Sequence, residues 1–123
     1  MSDWHALVVE DIADNAELVE IILEHNNISY TTTETAEEAL VILESEMPSV
    51  ILIDLALPGM SGWDLLKHLR SNPRTADLPM VAVTAYHSRS VAEEAITAGF
   101  DACFPKPIDP DTFVQELQRL IPT

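Results

Sequence analysis

The chain has 123 residues, 47% of them apolar, which is the size of one domain and enough to bury a core without a disulfide or structural metal. Its 21 acidic residues against 6 basic ones give a formal charge of −15, which argues against direct binding to DNA or RNA and otherwise serves solubility. The single cysteine, Cys103, cannot pair internally, no basic-then-apolar leader opens the chain, and no apolar run approaches a membrane span, so a reducing cytoplasm and no membrane are expected.

In chain order, Ala6 to Val9 reads as a first strand, and the segment from near Asp14 or Asn15 through His25 as a helix with Ala16, Val19 and Leu23 inward. A second strand, Ile28 to Thr32, leads through the capping box Thr35 with Glu38 into a helix. Its apolar stripe is Ala36, Ala39, Leu40 and Leu43, at the i, i+3, i+4, i+7 spacing. Val50 to Leu55 reads as a third strand, and Ser61 with Asp64 opens a third helix. Met80 to Val83 is the fourth strand. Ser90 with Glu93 suggests a capping box for a fourth helix, carrying Ala92, Ala95, Ile96 and Gly99 inward and stopping at Gly99. Ala102 to Phe104 is the fifth strand. Asp109 before Pro110 suggests an N-cap with proline at the first helical position, followed by Phe113, Leu117 and Leu120. No repeat, low-complexity segment or linker interrupts the pattern.

Five alternating strand–helix units imply a doubly wound α/β domain with a five-stranded parallel sheet, because each parallel crossover needs a helix and is right-handed. In such folds the ligand site lies at the carboxyl ends of the strands. Here the first strand ends at Glu10 and Asp11, the third at Asp54, the fourth at Thr84, and the fifth runs out to Lys106. Three clustered carboxylates repel one another unless a cation joins them, and an all-oxygen set suits Mg²⁺. Asp54 is the natural nucleophile toward a phosphoryl group, with Lys106 and the Thr84 hydroxyl placed to neutralise and hold its oxygens. Each residue alone has an ordinary explanation as a cap, a turn former or a surface charge; four strand ends supplying complementary chemistry to one edge does not.

The segments LVVEDIADN, VILIDLALPGMSGWDLL, MVAVTAY and CFPKPID resemble, in order and spacing, the signatures of the receiver domain of two-component response regulators. The resemblance covers essentially the whole chain, 1–123. It implies a flavodoxin-like (βα)5 fold with strand order 2-1-3-4-5, and a phosphoacceptor switch rather than an enzyme. It also implies that Asp54 is phosphorylated by a sensor histidine kinase or a histidine phosphotransfer protein. Asp11, Asp54 and the backbone carbonyl of Ala56 would bind Mg²⁺, with Glu10 acting through a water. Thr84, Ala85 and Lys106 would hold the phosphoryl group, Tyr86 would be the aromatic switch, and the Lys106–Pro107 bond would be cis. The output would be phosphorylation-dependent binding of a protein partner on the face built from the fourth helix, fifth strand and fifth helix.

The remaining conspicuous residues read as structural. His5, His25, His68 and His87 have no common spacing and are expected to be exposed, Cys103 to be a small buried hydrophobe, and Trp63, Phe104 and Phe113 to be packing residues. A haloacid dehalogenase-type phosphatase would also use a strand-ending Asp with Mg²⁺, Thr and Lys. It would carry a second Asp two positions later for proton transfer, where this chain has Ala56. A second alternative is a phosphorylation-independent interaction module, against which the complete set of Glu10, Asp11, Asp54, Thr84 and Lys106 weighs; a third is a receiver excised from a larger regulator or hybrid kinase, but the closing IPT offers no linker, so a stand-alone domain is expected.

Overall fold

The structure is a computed structural model that describes residues 4–121. Ten elements alternate along it: β1 (His5–Val9), α1 (Ala13–His25), β2 (Ser29–Thr33), α2 (Ala36–Leu43), β3 (Val50–Asp54), α3 (Gly62–Arg70), β4 (Met80–Thr84), α4 (Arg89–Ala98), β5 (Ala102–Pro105) and α5 (Phe113–Leu120). The strands form one parallel sheet in the order β2-β1-β3-β4-β5, as expected. Strand side chains alternate between two faces. Ala6, Val8, Leu52, Val81 and Val83 meet Leu23 of α1 and Phe113 and Leu117 of α5. On the opposite face Leu7, Val9, Ile51, Ile53 and Ala82 meet Ala39 of α2, Leu65, Leu66 and Leu69 of α3, and Ala95 of α4. β3, buried along its whole length, ends in the charged Asp54. No helix among the described residues is long and apolar enough to cross a membrane.

Helix starts follow the local chemistry with two corrections. Thr35 Oγ1 accepts from Glu38 N at 3.1 Å while Glu38 Oε1 reaches back to Glu34 N at 2.9 Å, and Ser61 Oγ accepts from Asp64 N at 3.1 Å. At α4 the cap is Ser88, not Ser90: its hydroxyl accepts from Val91 N at 3.1 Å, and the earlier start lets Val91 pack against the core. Ile96, expected inward, is 52% exposed; Phe100, just past the stop at Gly99 (φ 125°), packs in the core. At α5, Asp109 opens a turn instead of the helix, with Oδ1 accepting from Asp111 N and its carbonyl from Thr112 N and Phe113 N.

The other aromatic and histidine expectations divide. Trp63 packs edge-on against Phe100, and Phe104 against Phe113. His25, His68 and His87 are exposed, but His5 is half-buried and bonded to the hydroxyls of Ser29 and Thr31 at 2.8 Å each. Cys103 is half-buried against the second core, where burial pushes its thiol pKa up and keeps it a poor nucleophile.

At the sheet end where β4 and β5 begin, Arg70 closes off α3. Its guanidinium donates to the carbonyls of Ala76 (2.8 Å), Leu78 (2.6 Å) and Gly99 (3.1 and 2.8 Å) and to Asp101 Oδ2 (3.1 Å), which also accepts from Met80 N. Five planar donors suit this side chain to gathering carbonyls from separate loops.

Candidate functional site

Parallel register delivers the strand ends to one edge. Val9 lies across from Ile53, Asp54 from Val83, and Thr84 from Pro105, so the residues after β1 and β5 and the last residues of β3 and β4 meet there. Glu10, Asp54 and Thr84 are all buried, although each is polar. Carboxylate oxygens of Glu10, Asp11 and Asp54 lie within 4.8 Å of one another. Lys106 Nζ sits 2.5 Å from Glu10 Oε1 and 3.2 Å from Asp54 Oδ2. Backbone amides complete the set: Ala56 N donates to Asp54 Oδ1 at 3.1 Å and Ile12 N to Glu10 Oε2 at 3.2 Å.

The electrostatics follow from this crowding. Burial pushes the Glu10 carboxyl up to about 7, against the opposing hydrogen bond from Lys106 and with further upward help from Asp54. Burial draws the Lys106 ammonium down, but Glu10 and Asp54 more than offset it, so its pKa stands above the ordinary lysine value. One ammonium against three carboxylates leaves negative charge uncompensated, and Asp11 Oδ1 is buried with no hydrogen-bond partner. An orphaned oxygen beside two further carboxylates is what a hard cation would satisfy, so the residues fit a divalent metal ion.

Thr84 Oγ1 accepts from Tyr86 N at 3.0 Å, which leaves its hydroxyl hydrogen free to donate. Ala56 and Ala85 are exposed beside the cluster, Tyr86 is 79% exposed, and the Lys106–Pro107 peptide is cis. Sequence marks Gly62 only as a shaper of the loop after Asp54 and does not mark Glu37 at all; the structure gives both closer roles. A Cβ on Gly62 would stand 2.4 Å from the Asp54 carbonyl oxygen, so only glycine lets α3 begin against the end of β3; a glycine at a first helical position, where propensity disfavours it, is the available hint. Glu37 Oε2 accepts from Met60 N at 3.3 Å and so ties α2 to the loop after Asp54, a contact that only tertiary structure creates.

The family model of the response regulator receiver domain matches residues 6–118. An uncharacterized 14.6 kDa protein of Leptolyngbya boryana is 34% identical over 97% of this chain and 91% of its own length. The phosphate regulon transcriptional regulatory protein PhoB of Escherichia coli is 33% identical over 94% of this chain, which spans only 50% of PhoB. Among solved structures, the receiver domain of the sensor histidine kinase PA1611 of Pseudomonas aeruginosa, with a magnesium ion coordinated in its active-site cleft, superposes with a TM-score of 0.86. It is 25% identical, covering 95% of this chain and 96% of that one.

Proposed function

Because the chain belongs to the response regulator receiver domain family, we propose that Asp54 is its phosphoacceptor, taking a phosphoryl group from a histidine kinase or a histidine phosphotransfer protein. The observation that carries this reading is the setting of Asp54. Its carboxylate is fixed by Ala56 N and Lys106 beside the unpartnered Asp11 oxygen, in a buried pocket at the strand ends. Asp11, Asp54 and the Ala56 carbonyl would hold Mg²⁺, with Glu10 acting through a water; PA1611, a receiver of similar fold, has magnesium in its cleft. When bound, Mg²⁺ would offset charge on the phosphoryl oxygens.

The rest of the work belongs to the chain. A hydrogen bond from Ala56 N leaves Asp54 a poorly solvated, oriented carboxylate ready to attack phosphorus. Lys106, already within reach of Asp54, pairs with a phosphoryl oxygen, and the Thr84 hydroxyl turns its free hydrogen toward another. A swing of Thr84 toward that oxygen would vacate space that Tyr86 can fill by turning inward, and so alter the α4–β5–α5 face read by a downstream protein. The chain is thus a switch that assists its own phosphorylation and dephosphorylation, working in the cytoplasm.

Incubation with acetyl phosphate and Mg²⁺ should add one hydroxylamine-sensitive phosphoryl group by mass, absent in Asp54→Asn and in excess chelator. A variant that still gains a stoichiometric acyl phosphate would remove Asp54 from this role.

A further inference from the structure

We propose that the face built from α2 and α3 is self-complementary and docks a second copy of this chain, about a twofold axis that runs along the groove between the two helices. Neither the strand-end pocket nor the α4–β5–α5 face takes part, so the inference does not depend on the role of Asp54.

These neighbouring helices carry opposite charge. Residues 34–46, which contain α2, hold five glutamates and no basic residue. Residues 67–74, the second half of α3 and the turn after it, hold three of the six basic residues, Lys67, Arg70 and Arg74, and no acid. Arg70 is engaged by Asp101 and by loop carbonyls. Lys67 and Arg74 are exposed, and among the described residues neither has a carboxylate within ion-pair distance. A groove of about 160 Å³ separates the helices, with Leu40, Leu43 and Leu69 at its floor, Glu44 on the α2 side and His68 and Arg74 on the α3 side. Glu44 and Arg74 thus line one groove without pairing across it, and each is open to an opposite charge from outside.

A twofold axis along the groove lays α2 of one copy over α3 of the other and keeps each residue at its own level along the helices. Glu44 of each copy then meets Arg74 of the other, so the contact is made twice. Val41, 64% exposed one turn before Glu44, comes over a shallow depression of about 620 Å³ on α3, lined by Met60, Lys67 and His68. The other twofold open to two facing surfaces, at right angles to the helices, sets α2 on α2 and is opposed by glutamate against glutamate. The formal charge of −15 makes two copies repel at a distance. Physiological salt screens that repulsion beyond about 8 Å, whereas charges in contact lie well inside this length.

Sedimentation equilibrium of the unphosphorylated, reduced chain at about 150 mM salt, from about 10 µM to about 1 mM protein, covers the range of weak association. The weight-average mass should rise toward twice that of one chain. Arg74→Glu sets glutamate opposite Glu44, and Glu44→Arg sets arginine opposite Arg74; each alone should weaken dimerisation about tenfold or more. Both positions are exposed, so neither variant threatens the fold. An equimolar mixture of the two variants should recover the dimer, because both contacts are then complementary, and so should the double variant. Net charge cannot imitate this recovery, since both variants remain strongly acidic. A chain that stays monomeric over the whole range, or an association that neither single variant weakens, overturns the proposal. Weakening by both variants without recovery in the mixture overturns it as well, by removing the pairing of Glu44 with Arg74.

Discussion

Gly62 shows how little room the site leaves for error. A methyl group there meets the carbonyl of Asp54 itself, so Gly62→Ala must shift either α3 or the end of β3. Overpacking of this kind costs about 1–3 kcal/mol, and the stability loss in urea titration should be accompanied by slower Asp54 labelling. Undiminished labelling in a stable Gly62→Ala variant would show that the contact can relax without cost. The main site residues were readable in sequence because their signal is positional: Glu10, Asp11, Asp54 and Thr84 end or directly follow strands, and a parallel sheet must collect strand ends. Gly62 was legible only as a shaper of the loop after Asp54, because its close approach acts through an absent Cβ, and Glu37 was not legible, because it acts through a contact between α2 and a distant loop. Nor could sequence give the engagement of Thr84 Oγ1 by Tyr86 N or the outward setting of Tyr86.

Among the helices α4 is the least anchored, because Ala95 is its only fully buried residue and its N-terminus rests on one side-chain cap. Ser88→Ala should therefore cost about 1 kcal/mol in chemical denaturation, whereas Ser90→Ala, one residue past the helix start and exposed, should stay within about 0.5 kcal/mol. The reverse order would mean that the helix starts two residues later in solution. By the same thin burial, amide exchange should be faster in α4 than in α1 or α3. The number, order and type of elements followed from alternating strand and helix periods, which are global patterns. The starts of α4 and α5 did not, because Ser88 and Ser90, or Asp109 and Thr112, offer the backbone near-equivalent beginnings. Core contacts such as those of Val91 and Phe113 decide between them.

For the molecule as a whole, the buried cluster makes stability depend on pH. Glu10 is raised from 4.5 to about 7 on folding, so its protonated form is favoured in the folded chain. That contribution is fully present below about pH 4.5 and is lost as pH rises through about 7. In metal-free solution the domain should melt at a lower temperature at pH 8 than at pH 6. Glu10→Gln should flatten this trend, and a slope equal to that of the unsubstituted chain would assign the dependence to other groups. At the opposite end of the sheet Arg70 bolts the carbonyl of Gly99, at the close of α4, to the loop that precedes β4. The opening of α4 follows the exposed Ala85–His87 segment instead. Arg70 holds the close of α4 while its opening rests on Val91 and the Ser88 cap, so if Thr84 moves on phosphorylation, the displacement of α4 should be larger near Arg89 than near Gly99. A partner reading the first turn of α4 would then sense more of that displacement than one seated beside Gly99.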